Sequence, residues 1–242
     1  MLCILARIGF LFQPVQVYPF LFFIFMLSFF VSFRYKNIMK VYLAGPEVFL
    51  PHAHTVFAEK INICKKYGLT AVTPFDNAPA LENFHAQDAA QMIFTQNIAI
   101  IDGCDALIAN ITPFRGVHMD PGTALEMGYA FAKNIQVAAY TQDNRELIMR
   151  LSPNATAFMA SDVQPHLHHP EKFQNQEDNP LKPSLRHVDN AGYLIENFGL
   201  SENLMVHGCL SAQGRKTEGV SLPFAERFTS CLGFEDAVLS LL

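Results

Sequence analysis

The hydrophobic positions of this chain fall into two patterns that meet near residue 39. Before that point apolar side chains run almost without a break, and Val17 to Phe33 carries no charge over 17 positions. From Lys40 onward, short apolar runs alternate with stretches of helical period, the signature of strands and helices taking turns. Lys40–Ala44 predicts a short strand ending in the turn Gly45-Pro46. His54–Tyr67 carries Val56, Phe57, Ile61 and Cys64 at helical spacing and stops at Gly68, a C-cap signal. Leu69–Thr73 predicts a second strand closed by Pro74, and Ala86–Ile101 a helix with Ala89, Ile93, Asn97 and Ile100 along one side. Asp105–Ile111 is almost wholly apolar, as a strand covered on both faces must be. Pro121–Lys133 reads as a helix and Ile135–Tyr140 as a fourth strand. This alternation predicts an α/β fold with a doubly wound parallel sheet. Residues 141–192 are poorer in pattern and hold five prolines, Pro153, Pro165, Pro170, Pro180 and Pro183. They read as a lid or insertion with a short helix near Arg145–Leu151. The tail from Tyr193 is apolar again and is expected to pack back on the domain.

The apolar N-terminal extension, residues 1–38, admits three readings. Its charge-free run sits at the short end of the roughly 17–25 residues that span a bilayer. Arg34, Lys36 and Lys40 follow the run and only Arg7 precedes it, so an inserted helix keeps the C-terminal part in the cytoplasm. A cleaved signal peptide fits less well, because no small-x-small site follows the apolar stretch. In the third reading the natural chain begins at Met39, since Met39-Lys-Val-Tyr-Leu-Ala-Gly45 opens an α/β domain that needs nothing before it. A membrane is a partner only in the first reading, and a cytoplasmic domain is expected in all but the second.

Composition narrows the classes further. The length of 242 residues suits one α/β domain, residues 39–242, with an appendage. A net charge of -5 gives no basic excess, which argues against a nucleic-acid partner. The five cysteines are far apart and form no CxxC pair, so they read as reduced thiols and not as a disulfide frame or zinc site. Pro165-His-Leu-His-His-Pro170 has no Cys or carboxylate at ligand spacing and reads as a surface loop. No metal or cofactor is expected.

Chemistry gathers after the central strand. In open α/β sheets, ligands bind at the carboxyl ends of strands where the strand order reverses. The strand through Asn110 runs into the loop Thr112–Asp120 and then the helix from Pro121. Asp120 is placed as N-cap, with Pro121 at the first helical position. Glu126 is the anomaly, because its neighbours from Ala124 to Ala132 are apolar, glycine or tyrosine, and the helix is therefore expected to be largely buried. A carboxylate in such a place costs several kcal/mol unless it is paired or used. It is either a structural anchor or a reacting group. Gly122 and Thr123, one turn earlier, leave room for a ligand beside it. Arg115 either touches substrate or caps its loop.

Five blocks in order resemble the nucleoside 2-deoxyribosyltransferases: Tyr42-Leu-Ala-Gly-Pro46, Pro74-Phe-Asp-Asn77, Asp105-Ala-Leu-Ile-Ala-Asn110, Asp120-Pro-Gly-Thr-Ala-Leu-Glu-Met-Gly-Tyr-Ala130 and Asn203-Leu-Met205. The resemblance covers about residues 39–242 and implies a flavodoxin-like fold that exchanges the base on a 2'-deoxynucleoside. Deoxynucleosides and free nucleobases are then the partners, as in nucleotide salvage. Glu126 matches the nucleophile that forms a covalent deoxyribosyl-enzyme. Tyr42 matches the tyrosine that orients it, and Asp120 an aspartate lining the sugar and base pocket. Gly45, Asp76, Asn77, Gly122 and Met205 fall in the same blocks and are expected to line the substrate site. Asn203 matches an asparagine that reaches the 5'-hydroxyl from a neighbouring subunit, which implies a homo-oligomer, at least a dimer.

The chain departs from the pattern at Asn97. Some members carry an aspartate there to handle the leaving base, and an amide can hydrogen-bond a base edge but cannot act as an acid. Asp76 and Asn77 are the candidates to share that role. Two other functions remain on the same fold: hydrolysis of deoxynucleoside 5'-monophosphates, and nucleotide binding without chemistry. Relatives that hydrolyse monophosphates tend to place hydroxyl residues where Asp120 and Asn203 stand, and a carboxylate repels a phosphate. A pure binder gains nothing from a buried free carboxylate.

Overall fold

The computed structural model describes residues 38–76, 85–151, 158–159, 185–188 and 194–242. The apolar segment before residue 38, Asn77 and the histidine-containing stretch 165–170 lie outside the described residues. Among the described residues no helix is long and apolar enough to cross a membrane. None of their His, Cys, Asp and Glu side chains form a group of three or more suited to a metal ion.

Strand β1, Lys40–Ala44, leads through Gly45 into a 3-10 turn at Pro46–Phe49 and then helix α1, Ala53–Lys66. Gly68 closes α1 with φ 75, a left-handed turn that suits glycine. Strand β2, Thr70–Val72, is followed by α2, Ala86–Asp102; β3, Ala106–Asn110; α3, Pro121–Ala132; and β4, Gln136–Thr141. Helix α4, Leu147–Leu151, then α5, Leu204–Ser211, strand β5, Thr217–Gly219, and α6, Phe234–Leu239, complete the domain. The sheet runs β2-β1-β3-β4-β5 with every pair parallel. This is the flavodoxin-like doubly wound order, and its winding reverses between β1 and β3. Three short strands, Phe158–Met159, Leu185–Val188 and Leu194–Ile195, form a separate antiparallel sheet.

Alternation along the strands decides which helix each residue meets. Tyr42, Leu107, Ala109, Val137 and Ala139 pack with Met127 and Ala130 of α3 and Leu210 of α5. Val41, Leu43, Ile108, Ala138 and Tyr140 pack with Phe57 of α1 and with Phe234 and Val238 of α6. Tyr42 thus faces α3, the helix that carries Glu126.

Two features differ from the sequence pattern. The fifth strand is three residues, Thr-Glu-Gly, at the sheet edge, and so short a polar segment makes no apolar run to detect. Helix α3 is not largely buried: it hides Thr123, Met127 and Ala130, while Leu125 is 57% exposed and Phe131 39% exposed. A helix on a sheet covers one stripe only, so an apolar residue on the far side stays open.

A buried ion pair also escaped the pattern. Lys60 of α1 is 2% exposed and pairs with Glu47, which is 1% exposed. Oε1 of Glu47 also accepts from Asn110 Nδ2 at 2.7 Å and from Tyr140 Oη at 2.9 Å. The Lys60 ammonium sits 5.3–5.6 Å from the ring centroids of Phe57, Tyr140 and Phe234. A Cβ at residue 45 would collide with Oε2 of Glu47, so the packed carboxylate is what requires glycine at the end of β1. Breaking such a pair strands a charge. Lys60→Met is expected to destabilise the fold by about 3–5 kcal/mol in denaturant melts, and Glu47→Gln added to it to recover much of the loss. A single variant within about 1 kcal/mol of wild type would refute the buried-charge account.

Candidate active site

A pocket of about 360 Å³ opens at the carboxyl ends of β1 and β2, where Gly45–Phe49 and Pro74–Phe75 face α2 and α3. Glu126 lies on its wall. Tyr42, fully buried in β1, donates from Oη to Glu126 Oε1 at 2.7 Å. Asn97 of α2 donates from Nδ2 to the same oxygen at 3.2 Å. Two elements distant in sequence, β1 and α2, therefore hold one carboxylate oxygen of α3, and among the described residues no hydrogen bond reaches Oε2. Burial pushes the Glu126 carboxyl up to about 7, and the nearby charge of Asp120 adds to that, against the two hydrogen bonds. Burial and the adjoining carboxylate hold the Tyr42 hydroxyl well above its ordinary range, so it stays a donor.

Asp120 does two things at once. Its Oδ2 accepts from Thr123 N at 2.8 Å and Thr123 Oγ1 at 3.0 Å, capping α3, and the residue also lines the pocket. A Cβ at Gly122 would lie 3.0 Å from that Oδ2, so glycine keeps the pocket floor open. Asn97 sits where the departure from the family pattern left a question, and its amide engages Glu126 directly. Asp76 turns inward: its carboxylate accepts from the backbone N and hydroxyl of Thr73, while its carbonyl accepts from Gln96 Nε2 at 3.0 Å. It shapes the loop beneath Pro74 and Phe75 and is not among the residues lining the pocket.

Asn203 and Met205 are not brought to this pocket within one chain. Asn203 caps α5 by accepting from Met205 N at 2.9 Å, and its Nδ2 donates to Glu196 at 2.7 Å. Both line a second, open cavity between α3 and α5, where Met205 is 73% exposed. The buried Glu202 anchors that corner, accepting from His118 Nδ1, Met119 N and Asn203 N at 2.6–3.0 Å.

The apolar walls of the pocket were not legible beforehand. Val48, Phe49, Phe75 and Ile93 line it, yet each reads in sequence as an ordinary core residue. The one signal was exposure against type: Phe49 is 52% exposed and Ile93 43% exposed, and only the structure reports that.

Comparison with known proteins identifies the family. The family model described as nucleoside 2-deoxyribosyltransferase matches residues 41–205. An uncharacterized protein of Schizosaccharomyces pombe is 29% identical over 176 residues, covering 72% of this chain and 78% of its own. Among solved structures, a 2-desoxiribosyltransferase from Leishmania mexicana is 26% identical with a TM-score of 0.46, covering 78% of this chain and 94% of its own. A 2-deoxyribosyltransferase from Bacillus psychrosaccharolyticus is 22% identical with a TM-score of 0.36, covering 42% of this chain and 71% of its own. The family match takes in β1, the Glu126 helix and the Asn203 cap, more than half the chain, and on that ground the chain belongs to the nucleoside 2-deoxyribosyltransferase family.

Proposed function

We propose that this protein moves 2-deoxyribose between nucleobases through a covalent deoxyribosyl–Glu126 intermediate. The observation that carries the reading is the pair of hydrogen bonds on Glu126 Oε1, from Tyr42 at 2.7 Å and Asn97 at 3.2 Å. With one oxygen held, Oε2 is left to attack C1' from the face opposite the base. The bond from C1' to the base nitrogen breaks, its electron pair leaves with the base, and water at the pocket mouth supplies the proton. A second base enters the vacated place and attacks C1' from that side through a ring nitrogen, its N–H proton passes to the hydroxide left by that water, and Glu126 departs as a carboxylate. Two inversions give net retention. Phe49 and Phe75 line the space for the base in this reading, and Asp120 that for the sugar. No cofactor enters either step.

The site is completed in this reading by a second copy. Asn203 stands outside its own pocket, beside an apolar surface formed by Phe131, Leu204 and Met205 at the α3–α5 cavity. Exposed apolar surface of this kind marks an interaction site. A dimer formed there carries the Asn203 amide toward a 5'-hydroxyl in the neighbouring subunit.

Incubating deoxyinosine with adenine or cytosine tests the reaction. The exchanged deoxynucleoside is the expected product, and hypoxanthine released without exchange would overturn transfer in favour of hydrolysis. The nucleophile must be ionised to attack, and its carboxyl titrates at about 7. kcat/KM should therefore rise with pH through that value and fall about tenfold per unit below it. A flat profile from about pH 5 to 8 would remove Glu126 as the titrating nucleophile.

A further inference from the structure

Four of the chain's eight arginines line one cavity of about 650 Å³, separate from the Glu126 pocket. It lies at the carboxyl ends of β3 and β4, between the loop Pro113–Val117, helix α4 and the segment Phe224–Thr229. On a chain with net charge -5 this clustering needs a cause. Arg150 is structural: it is buried, donates to the carbonyls of Val117, Arg145 and Ser201, and lies 3.8 Å from Glu202. The other three are not accounted for in that way. Arg145 and Arg227 share one carboxylate, with nitrogens 2.6 and 2.8 Å from Asp143 Oδ2. Arg115 has no ion pair and no hydrogen bond among the described residues. With Asp143 and Glu202 each answering one arginine, two positive charges in the cavity stay uncompensated among the described residues.

The walls between these charges are aromatic. Phe114 meets Phe228 edge to face at 5.7 Å, and Phe224 lies 5.8 Å from the Arg227 guanidinium. Arg115 is held over Phe49 and Phe114 at 4.7 and 4.8 Å, with its backbone at φ 54, a left-handed conformation that a side-chain-bearing residue adopts only when its surroundings impose it. Phe49 and Phe114 stack at 5.4 Å, and Phe49 also lines the Glu126 pocket, so the two cavities share a wall.

We propose that this cavity is a second ligand site, for a nucleoside phosphate. The base rests against Phe114, Phe224 and Phe228, and the phosphates take the free N–H groups of Arg115, Nη1 of Arg145 and Nη2 of Arg227. Guanidinium groups pair well with phosphate and rings with a base, and the volume is that of an ordinary small-molecule site. An uncharged nucleoside leaves the positive charges unanswered, and bare phosphate leaves the rings uncovered. The Glu126 pocket has the opposite character, because no Lys or Arg stands among its described lining residues.

Calorimetric titration of the full chain with adenosine diphosphate, adenosine and tripolyphosphate tests this. The diphosphate should bind one to one, with adenosine and tripolyphosphate each at least about tenfold weaker. Arg115→Gln and Arg227→Gln should each weaken the diphosphate about tenfold, and so should raising salt. Far-UV dichroism and melting temperature confirm that both variants fold. Saturating deoxyinosine should not displace the diphosphate. No binding, binding unchanged in both variants, tripolyphosphate as tight as the diphosphate, or displacement by deoxyinosine would each overturn the proposal. Binding is read without base exchange, so failure of the transferase reading would leave this inference standing.

Discussion

Glu126→Ala and Glu126→Gln are each expected to reduce base exchange by about a thousandfold or more, because a covalent path has no substitute for its nucleophile. The fold should survive both, and the glutamine variant should be the more stable protein. Glu126 has its carboxyl raised to about 7 by burial. Between the ordinary carboxylate range and that value, the folded chain holds a proton that the unfolded chain has lost. Stability from this group is therefore complete at low pH and is lost as pH rises through about 7. At pH 8 the ionised carboxylate costs about 3 kcal/mol, which Glu126→Gln removes while still accepting from Tyr42 and Asn97. Its melting temperature should rise by about 6–12 °C at pH 8 and not at all near pH 4. The pairing of lost activity with gained stability separates a reacting carboxylate from a structural anchor, whose removal would cost stability. Exchange within tenfold of wild type in the purified glutamine variant would rule out Glu126 as nucleophile.

Deoxynucleosides are expected to exceed their 5'-monophosphates in kcat/KM by about a hundredfold or more, for a few kcal/mol of repulsion at Asp120. Asp120 lines the pocket, and no Lys or Arg stands among the described lining residues to offset a phosphate. A 5'-hydroxyl can donate to the carboxylate and, in the proposed dimer, accept from the Asn203 amide of the second copy, which satisfies both groups. Asp120→Ser should narrow the gap while keeping a cap on α3, since serine serves at that position. It should also shift the pH profile toward lower pH, because the Asp120 charge is one of the causes raising Glu126. Comparing deoxyadenosine with its monophosphate, with and without acceptor base, reads all of this. Faster turnover of the monophosphate, independent of acceptor, would replace transfer with hydrolysis.

Much of this protein is determined by its sequence alone, and the reason is local. β1, β3, β4 and helices α1 and α3 announce themselves because each buries a continuous run or a single stripe, and Pro46, Gly68, Pro74 and Asp120-Pro121 punctuate the chain around them. Glu126 stood out because a carboxylate among apolar neighbours needs a reason wherever the helix lies. Tertiary structure decided what depends on neighbours far along the chain. Only packing brings Tyr42, Asn97 and Glu126, up to 84 residues apart, onto one oxygen. Only packing puts Lys60 inside, because its charge is answered by Glu47 of the preceding turn and not by anything its own helix displays. It likewise turned Asp76 onto Thr73, left Asn203 outside the pocket of its own chain, and gathered four arginines from helix α4 and scattered loops into one cavity. A short polar edge strand such as β5 has no pattern of its own, and its partner strand β4 gives it its place in the sheet. Hydrophobic period records what one element must bury; the partner of a buried charge is recorded nowhere but in the fold.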